Sequence, residues 1–280
     1  MSYKHLRFPE GKCRAVTFSY DDGVPSDIKF ADTISKYGIK CTFNHNAFER
    51  AGLTKEKVEE HILSKGHEIA VHGAQHKAEG LISSVELITD VLECRKHLEK
   101  KYGMIIRGMA YPDSGIRHMM PGNTYEDIKK YLKGLDILYS RTLAADNDLF
   151  MLPEDWYAWM PTAHHKNGEL MKYIDEFLNI DFSGYPSSRY PRLFYLWGHS
   201  YEFDRDNNWE LLEEICEKLS GKSDIWYATN MEIYDYVTVY NSLSYSADGS
   251  IVYNPSIRSV WFVIEDKLYC VRSGETLYIE

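Results

Sequence analysis

The sequence predicts an α/β protein, a closed or nearly closed (β/α) barrel followed by a small antiparallel β appendage. Three observations support this fold class. The chain has 280 residues, of which 44% are hydrophobic, so it can fill a large core. Between residues 15 and 229, short β-branched or aromatic runs alternate with helical stretches, as when helices connect parallel strands. After about residue 237, short runs are separated only by turn residues. An open doubly wound sheet is the alternative topology.

The apolar runs and the helix signals give the elements in chain order. The predicted barrel strands are residues 15–19, 39–44, 68–72, 105–110, 137–142, 193–198 and 225–229. Ser26 is expected to cap a helix that ends at residue 38, and Thr54 one that ends at residue 66. Ser83 and Glu86 form a capping box for a helix that ends near residue 103. Two later helices are predicted near residues 168–179 and 208–219.

The change of pattern near residue 237 predicts a boundary between two parts of the chain. Residues 1–237 would form the barrel domain and residues 238–280 the appendage. The short strands predicted in this region are residues 237–240, 251–253, 260–264, 268–271 and 276–279. Because no repeat or low-complexity linker separates the two parts, we expect the appendage to pack on the barrel.

Charge and hydropathy exclude several classes of partner. The chain has 32 Lys and Arg against 42 Asp and Glu, a net charge of −10, which repels nucleic acid and anionic lipid. No apolar run approaches the roughly 20 residues that a membrane helix needs. Residues 1–14 lack the apolar core of a secretory signal. We therefore expect a soluble, cytoplasmic protein without nucleic-acid or membrane partners, and the sequence leaves open a homo-oligomer.

The cysteines do not indicate a disulfide framework or a zinc knuckle. They are odd in number, far apart and form no CxxC pair, so we expect reduced thiols; they are Cys13, Cys41, Cys94, Cys216 and Cys270. Any metal ligands must then come from histidines and carboxylates, which suit zinc or another divalent first-row ion.

The first candidate motif is residues 19–23, Ser-Tyr-Asp-Asp-Gly, directly after the first predicted barrel strand. Gly23 permits a turn, and the adjacent carboxylates of Asp21 and Asp22 face different ways. One can hold a cation while the other points at a substrate, as hydrolysis by a metal-activated water requires. Taken alone, the motif does not establish a site, because an ordinary Asp-Gly turn has the same sequence.

The second candidate motif is residues 72–76, His-Gly-Ala-Gln-His, at the end of the third predicted barrel strand. The imidazoles of His72 and His76, four residues apart, can share a metal ion. Histidines at this spacing also occur on ordinary surfaces. Both motifs follow strands of one parallel sheet, however, so Asp22, His72 and His76 together can supply three ligands and leave room for water.

These two motifs, in this order, resemble those of the polysaccharide deacetylases of the NodB-homology type, carbohydrate esterase family 4. The resemblance extends from about residue 14 to residue 229 and leaves the appendage uncovered. It implies a distorted (β/α) barrel. It also implies that Asp21 is the general base and that Asp22, His72 and His76 bind zinc or a similar divalent ion.

The later family motifs match less closely. The third resembles residues 107–112, Arg-Gly-Met-Ala-Tyr-Pro, with the order of Tyr and Pro reversed. By resemblance, a backbone N–H near Tyr111 would stabilise an oxyanion. Arg107 would hold the base, or Arg141 at the end of the next strand would do so instead. For each arginine, the alternative to a functional role is an ordinary one, in which the side chain packs on its neighbours or is solvated.

The last family motif resembles residues 196–199, Leu-Trp-Gly-His, with Gly198 in place of a leucine. His199 follows a strand, and because the ordinary pKa of histidine lies near neutrality, this residue type suits proton donation to a leaving group. By resemblance an aspartate tunes this histidine, and Asp155 is the candidate. His164 and His165 either line a substrate groove or belong to a loop beside core aromatics.

The sequence therefore predicts metal-assisted hydrolysis of N- or O-acetyl groups on a carbohydrate. The ion would polarise the acetyl carbonyl and acidify a water, Asp21 would take the proton, and His199 would protonate the leaving group. One alternative is an intracellular amidohydrolase for a small amide such as allantoin or an imide. Another is a noncatalytic sugar-binding protein.

Overall fold

The computed structural model describes residues 3–185 and 187–279. The α-helices are α1 (Ser26–Lys36), α2 (Lys55–His61), α3 (Ser84–Tyr102), α4 (Tyr125–Gly134), α5 (Leu170–Leu178), α6 (Tyr201–Arg205), α7 (Trp209–Leu219) and α8 (Asn230–Asn241). The barrel strands are β2 (Arg14–Asp21), β3 (Cys41–His45), β4 (Glu68–Val71), β5 (Gly108–Ala110), β6 (Tyr139–Arg141), β7 (Ala163–His164), β8 (Arg192–Gly198) and β9 (Ile225–Tyr227). The remaining strands are β1 (His5–Arg7), β10 (Ser244–Tyr245), β11 (Ile251–Tyr253), β12 (Val260–Ile264), β13 (Lys267–Val271) and β14 (Thr276–Tyr278).

The main sheet is parallel and curled, with the order β6-β5-β4-β3-β2-β8-β7, and β9 also pairs with β2. Its two edges approach each other through the segment before β7. Trp159 forms a parallel bridge with Arg141 of β6, while Ala163 and His164 pair with β8. The sheet is thus a nearly closed barrel with helices around it. The fold class is confirmed, and the seven predicted barrel strands are present with shifted ends.

Alternation along β2 separates the two faces of the sheet. Val16, Phe18 and Tyr20 belong to the apolar core between the sheet and the helices. Thr17, by contrast, bonds to the Asn230 side chain on the inner face, and the next alternate residues also face polar partners. Because successive side chains of a strand point to opposite faces, this register places Asp21 at the polar end of the barrel interior.

The helix signals are largely confirmed. The Thr54 side chain accepts a hydrogen bond from the Lys57 N–H, and the Ser83–Glu86 capping box is present. Ser26 is not a cap, however. It is the first residue of α1, Pro25 occupies the N-cap position, and no side-chain cap bond forms there. Proline before a helix already fixes a backbone angle that suits the first turn, so a polar cap is not required.

Residues 237–240 are helical, and the strand predicted there is wrong. Their Val-Thr-Val-Tyr sequence favours a strand locally. A capping box of Thr229 and Glu232 instead starts α8, which continues to Asn241. Ile233, Tyr236 and Val237 follow helical spacing and pack against the barrel core, so tertiary burial outweighs local preference.

Two small antiparallel sheets form the predicted β appendage. One has the order β10-β11-β14, and the other has β12 between β13 and β1. Strand β1 was not predicted; its residues His5–Arg7 pair with residues 261–263 of β12. The division of the chain into domains at residue 237 stays a prediction.

No helix among the described residues is both long enough and apolar enough to cross a lipid bilayer. A cytoplasmic location stays a prediction.

Candidate active site

Asp21, the last residue of β2, is buried in a set of polar contacts. One carboxylate oxygen accepts a hydrogen bond from the Asn44 amide at 2.8 Å. The other accepts a hydrogen bond from the guanidinium of Arg141, which is also fully buried. Burial raises the pKa of Asp21, but Arg141, His72 and His199 outweigh this effect and hold the pKa below its ordinary value. Asp21 is therefore an oriented carboxylate, in the ionised state that a base requires.

Asp22 leaves the strand in a turn that directs its side chain differently from that of Asp21. Its φ is +83°, and that of the following Gly23 is +60°. A side chain at Gly23 would also lie 2.9 Å from the His45 ring, so glycine is required here for space as well as for conformation. The adjacent carboxylates thus occupy separate environments, as predicted.

His72 and His76 both present Nε2 to the same carboxylate oxygen of Asp22. The distances to this oxygen are 3.6 Å for His72 and 3.2 Å for His76. The Nδ1–H of His72 donates to the Ala110 carbonyl at 2.9 Å, which leaves its Nε2 with a lone pair. Asp21 lies 4.0 Å from His72 Nε2. It is beside this group but not part of it.

This spacing fits a divalent ion. Ligand atoms about 2.1 Å from a tetrahedral zinc lie roughly 3.4 Å from one another. The donor atoms of Asp22, His72 and His76 all lie within 4.8 Å of one another. Burial raises the pKa of Asp22, but His76 and His72 lower it to about 2, so this carboxylate is ionised. The residues present therefore fit a metal ion with nitrogen and oxygen ligands.

The loop that carries His76 is held from behind by Asp90 of α3. Its side chain accepts the Gln75 N–H at 2.7 Å, and its backbone carbonyl accepts the Ala74 N–H at 3.2 Å. Gly73 has a φ of +69°, and a Cβ there would lie 2.5 Å from the Asp90 carboxylate. Gly73 thus permits the close approach that fixes the loop.

His199 follows β8, as predicted, but its carboxylate neighbour is Glu202 of α6. His199 Nδ1 lies 3.5 Å from a Glu202 oxygen. Burial lowers the pKa of His199, yet Glu202, Asp21 and Asp22 outweigh this effect and raise it. These carboxylates therefore favour the protonated imidazole of His199, the state from which a proton can be donated.

Asp155 lies in a different environment from the one expected. Its carboxylate bonds to the side chains of Lys129 and Tyr125 and accepts the Tyr157 N–H. Glu202 thus replaces Asp155 as the carboxylate beside His199. The i, i+3 spacing of His199 and Glu202 was the available signal in the sequence.

The structure also separates the two arginines. Arg107 forms a partly exposed ion pair with Asp136, whereas Arg141 contacts the candidate base. The N–H of Tyr111 donates to the Arg141 carbonyl at 3.0 Å, and its hydroxyl donates to the Tyr157 carbonyl. The Tyr111 N–H is therefore engaged in the sheet and is not free to bind an oxyanion.

A cleft opens next to the ends of β5 and β6. It has a volume of about 350 Å³ and is largely apolar. Its lining includes Ile116, Thr142, Ala158 and Met160. Because Thr142 directly follows Arg141, this cleft adjoins the rim that carries the candidate base.

A second group of possible metal ligands, which the sequence did not single out as a site, consists of His164, His165 and Glu202. Their donor atoms also lie within 4.8 Å of one another. The sequence offered the adjacent histidines, but Glu202 joins them only through the packing of α6.

Residues 9–130 match the family model described as polysaccharide deacetylase. This segment contains both acidic and histidine motifs. The match covers less than half of the chain and ends before β6. The resemblance inferred from the motifs is confirmed, and the matched family consists of hydrolases that act on ester or carbon–nitrogen bonds. Arg141, His199 and Glu202 lie beyond the matched segment.

Several solved structures have the same fold as this chain. The allantoinase PuuE is 12% identical with a TM-score of 0.57, over 82% of this chain and 92% of that chain. The Xyl-CE4 domain of a multidomain xylanase, from the hindgut metagenome of Trinervitermes trinervoides, is 15% identical with a TM-score of 0.52, over 81% and 92%. A family 4 acetyl xylan esterase from Clostridium thermocellum, in complex with a cobalt ion, is 15% identical with a TM-score of 0.50, over 79% and 90%. Among curated proteins, none has a matching sequence.

Proposed function

We propose that this chain is a metal-dependent hydrolase that removes acetyl groups from N- or O-acetylated carbohydrate. The observation that carries the proposal is the buried, Arg141-paired Asp21 directly beside the donor group of Asp22, His72 and His76. The family match supports a carbohydrate as the substrate class.

We further propose that zinc is the resident ion, held by Asp22, His72 and His76. Two imidazoles and one carboxylate suit zinc, although other first-row divalent ions accept the same ligands. When bound, such an ion supplies Lewis-acid polarisation of an acetyl carbonyl and acidifies a water molecule.

The side chains of this chain supply the proton transfers. Asp21 accepts the proton of the attacking water, and Arg141 with Asn44 holds its carboxylate in one orientation. His199, which lies across the rim at the end of β8, donates a proton to the departing nitrogen or oxygen. The cleft lined by Thr142 and Met160 receives the part of the substrate next to the acetyl group.

Two variants separate metal binding from catalysis. Asp21→Asn should keep the bound ion and lose most of the turnover, because its amide cannot accept the proton. His76→Ala should lose turnover together with the ion held by Asp22, His72 and His76. The measurements are metal content by elemental analysis and acetate release from N- and O-acetylated mono- and oligosaccharides. Full activity in either variant would contradict the assignment.

The same substrate panel should include small ureides and imides. Turnover of these compounds without acetate release would replace the deacetylase proposal by a small-amide hydrolase. Sugar binding without any turnover, in metal-loaded protein, would indicate a noncatalytic protein.

A further inference from the structure

The carboxylate of Glu202 lies at the centre of several imidazoles. Its Oε2 atom is 3.1 Å from His164 Nε2 and 3.3 Å from His165 Nε2. His199 Nδ1 is 3.5 Å from the same atom. The Glu202 side chain is only 10% exposed, so these groups meet in a site largely shielded from water.

These short distances do not satisfy Oε2 of Glu202. Among residues 3–185 and 187–279 this buried atom has no hydrogen-bond partner of good geometry, whereas Oε1 accepts a hydrogen bond from Arg205 at 2.9 Å. The ring nitrogens are close to Oε2, but none of them forms a hydrogen bond of good geometry with it. The ligands of a metal ion also lie close together without hydrogen bonds between them, because their lone pairs are directed at the ion and not at one another.

The spacing also matches that of the first candidate site in the same molecule. There, the two histidine nitrogens lie 3.2 and 3.6 Å from the Asp22 oxygen. In the Glu202 group the corresponding distances are 3.1 and 3.3 Å. Both sets agree with the roughly 3.4 Å between the ligands of a tetrahedral zinc.

Gly198 makes the space that this group needs. A Cβ at Gly198 would lie 2.0 Å from Nδ1 of His165 and 2.6 Å from its Cε1. The backbone of Gly198 does not have a positive φ, so space and not conformation requires glycine here. Gly198, which stands where the last family motif has a leucine, is thus the residue that leaves room for the His165 ring.

One existing hydrogen bond must change if His164 binds an ion through Nε2. The Lys166 N–H donates to His164 Nδ1 at 3.1 Å. Coordination through Nε2 places the ring proton on Nδ1, so the Lys166 N–H has to find another acceptor. Lys166 is exposed, and water can accept this bond.

We propose that His164, His165 and Glu202 bind a second divalent cation of the zinc and cobalt class, separate from the ion at Asp22, His72 and His76. The site lies between the end of β7 and α6 and ties these two elements together beside His199. The inference does not depend on the deacetylase activity, because it rests on the second donor group alone.

The test counts bound ions per chain. The purified full chain is stripped with a chelator, dialysed against zinc or cobalt chloride, and analysed by elemental mass spectrometry. Wild type should bind two ions, and His164→Gln and His76→Gln should each bind one. The matched control is His61→Gln, which changes a partly exposed histidine paired with Asp32 and should leave two ions bound.

Glu202→Gln serves as a second variant, because its amide oxygen can still accept the Arg205 bond while the negative charge is removed. It too should bind one ion. On wild-type protein alone, a cobalt titration followed by visible absorption should show two saturating steps. One step in wild type, or two bound ions in both His164→Gln and Glu202→Gln, would overturn the second site. If His76→Gln still binds two ions, the proposed function loses its metal while the second site stands.

Discussion

Replacing Arg141 by methionine tests whether this guanidinium stabilises the candidate base. Arg141 is fully buried and its partner Asp21 is nearly so. Methionine keeps much of the apolar stem and leaves the Asp21 carboxylate with the hydrogen bond from the Asn44 amide and with His72 Nε2 at 4.0 Å. Removing one member of a buried ion pair costs about 3–5 kcal/mol. We expect a loss of that size in the free energy of unfolding near neutral pH.

The matched control is Arg107→Met, because the pair of Arg107 with Asp136 is partly exposed. Its side chain is 37% exposed, against 0% for Arg141. An exposed pair contributes about 1 kcal/mol or less. The double variant Asp21→Asn/Arg141→Met removes both charges and should recover at least half of the loss, since no buried charge is left alone.

The assay is urea unfolding followed by circular dichroism, with linear extrapolation to water. The pKa of Asp21 lies below its ordinary value, so its ion pair stabilises the protein above that ordinary value and ceases to do so as the pH falls through the lowered pKa. The deficit of Arg141→Met should therefore shrink on acidification. Equal losses in Arg141→Met and Arg107→Met, or no recovery in the double variant, would refute the reasoning.

Three further variants test other parts of the structure. Burial raises the pKa of Glu68 to about 7, so its carboxyl is neutral in the folded state at lower pH, and stability should fall by up to about 3 kcal/mol as the pH rises from about 5 to about 8. Glu68→Gln should abolish this fall in urea titrations at the two pH values; an unchanged slope would contradict it. Ser83→Ala should lower the free energy of unfolding by about 1 kcal/mol, because α3 loses its N-cap. The same urea titration measures this loss, and an unchanged free energy would show that the cap does not stabilise the protein. Gly198→Ala should displace the His165 ring and release one bound ion in elemental analysis, and retention of two ions would argue against the space requirement.

The barrel strands were predictable because each is an apolar run between helix and turn signals. Two elements could not be predicted in this way. The strand β7 has two residues, Ala163 and His164, and exists only because β8 lies beside it. Residues 237–240 have strand-like side chains, yet the capping box at Thr229 and burial of one helical face decide their conformation. Neither pairing nor burial can be read from a short local pattern.

The candidate site also has a part that the sequence predicts and a part that only the structure shows. Asp21, Asp22, His72 and His76 form two contiguous motifs at strand ends, and parallel topology brings such ends together. The partners Arg141 and Glu202 depend on side-chain packing across the barrel, for which the sequence gives no distance. Asp155 was chosen by its place in the chain, and the structure instead pairs it with Lys129.

The pairing of β1 with β12 has a consequence for synthesis of the chain. Residues 5–7 remain without their strand partner until residues 261–263 have left the ribosome, after nearly all of the protein has been made. Contacts between such distant parts of a chain close late, because the intervening loop costs entropy. Translation that stops before β12 would leave an unpaired edge, which is a surface prone to aggregation.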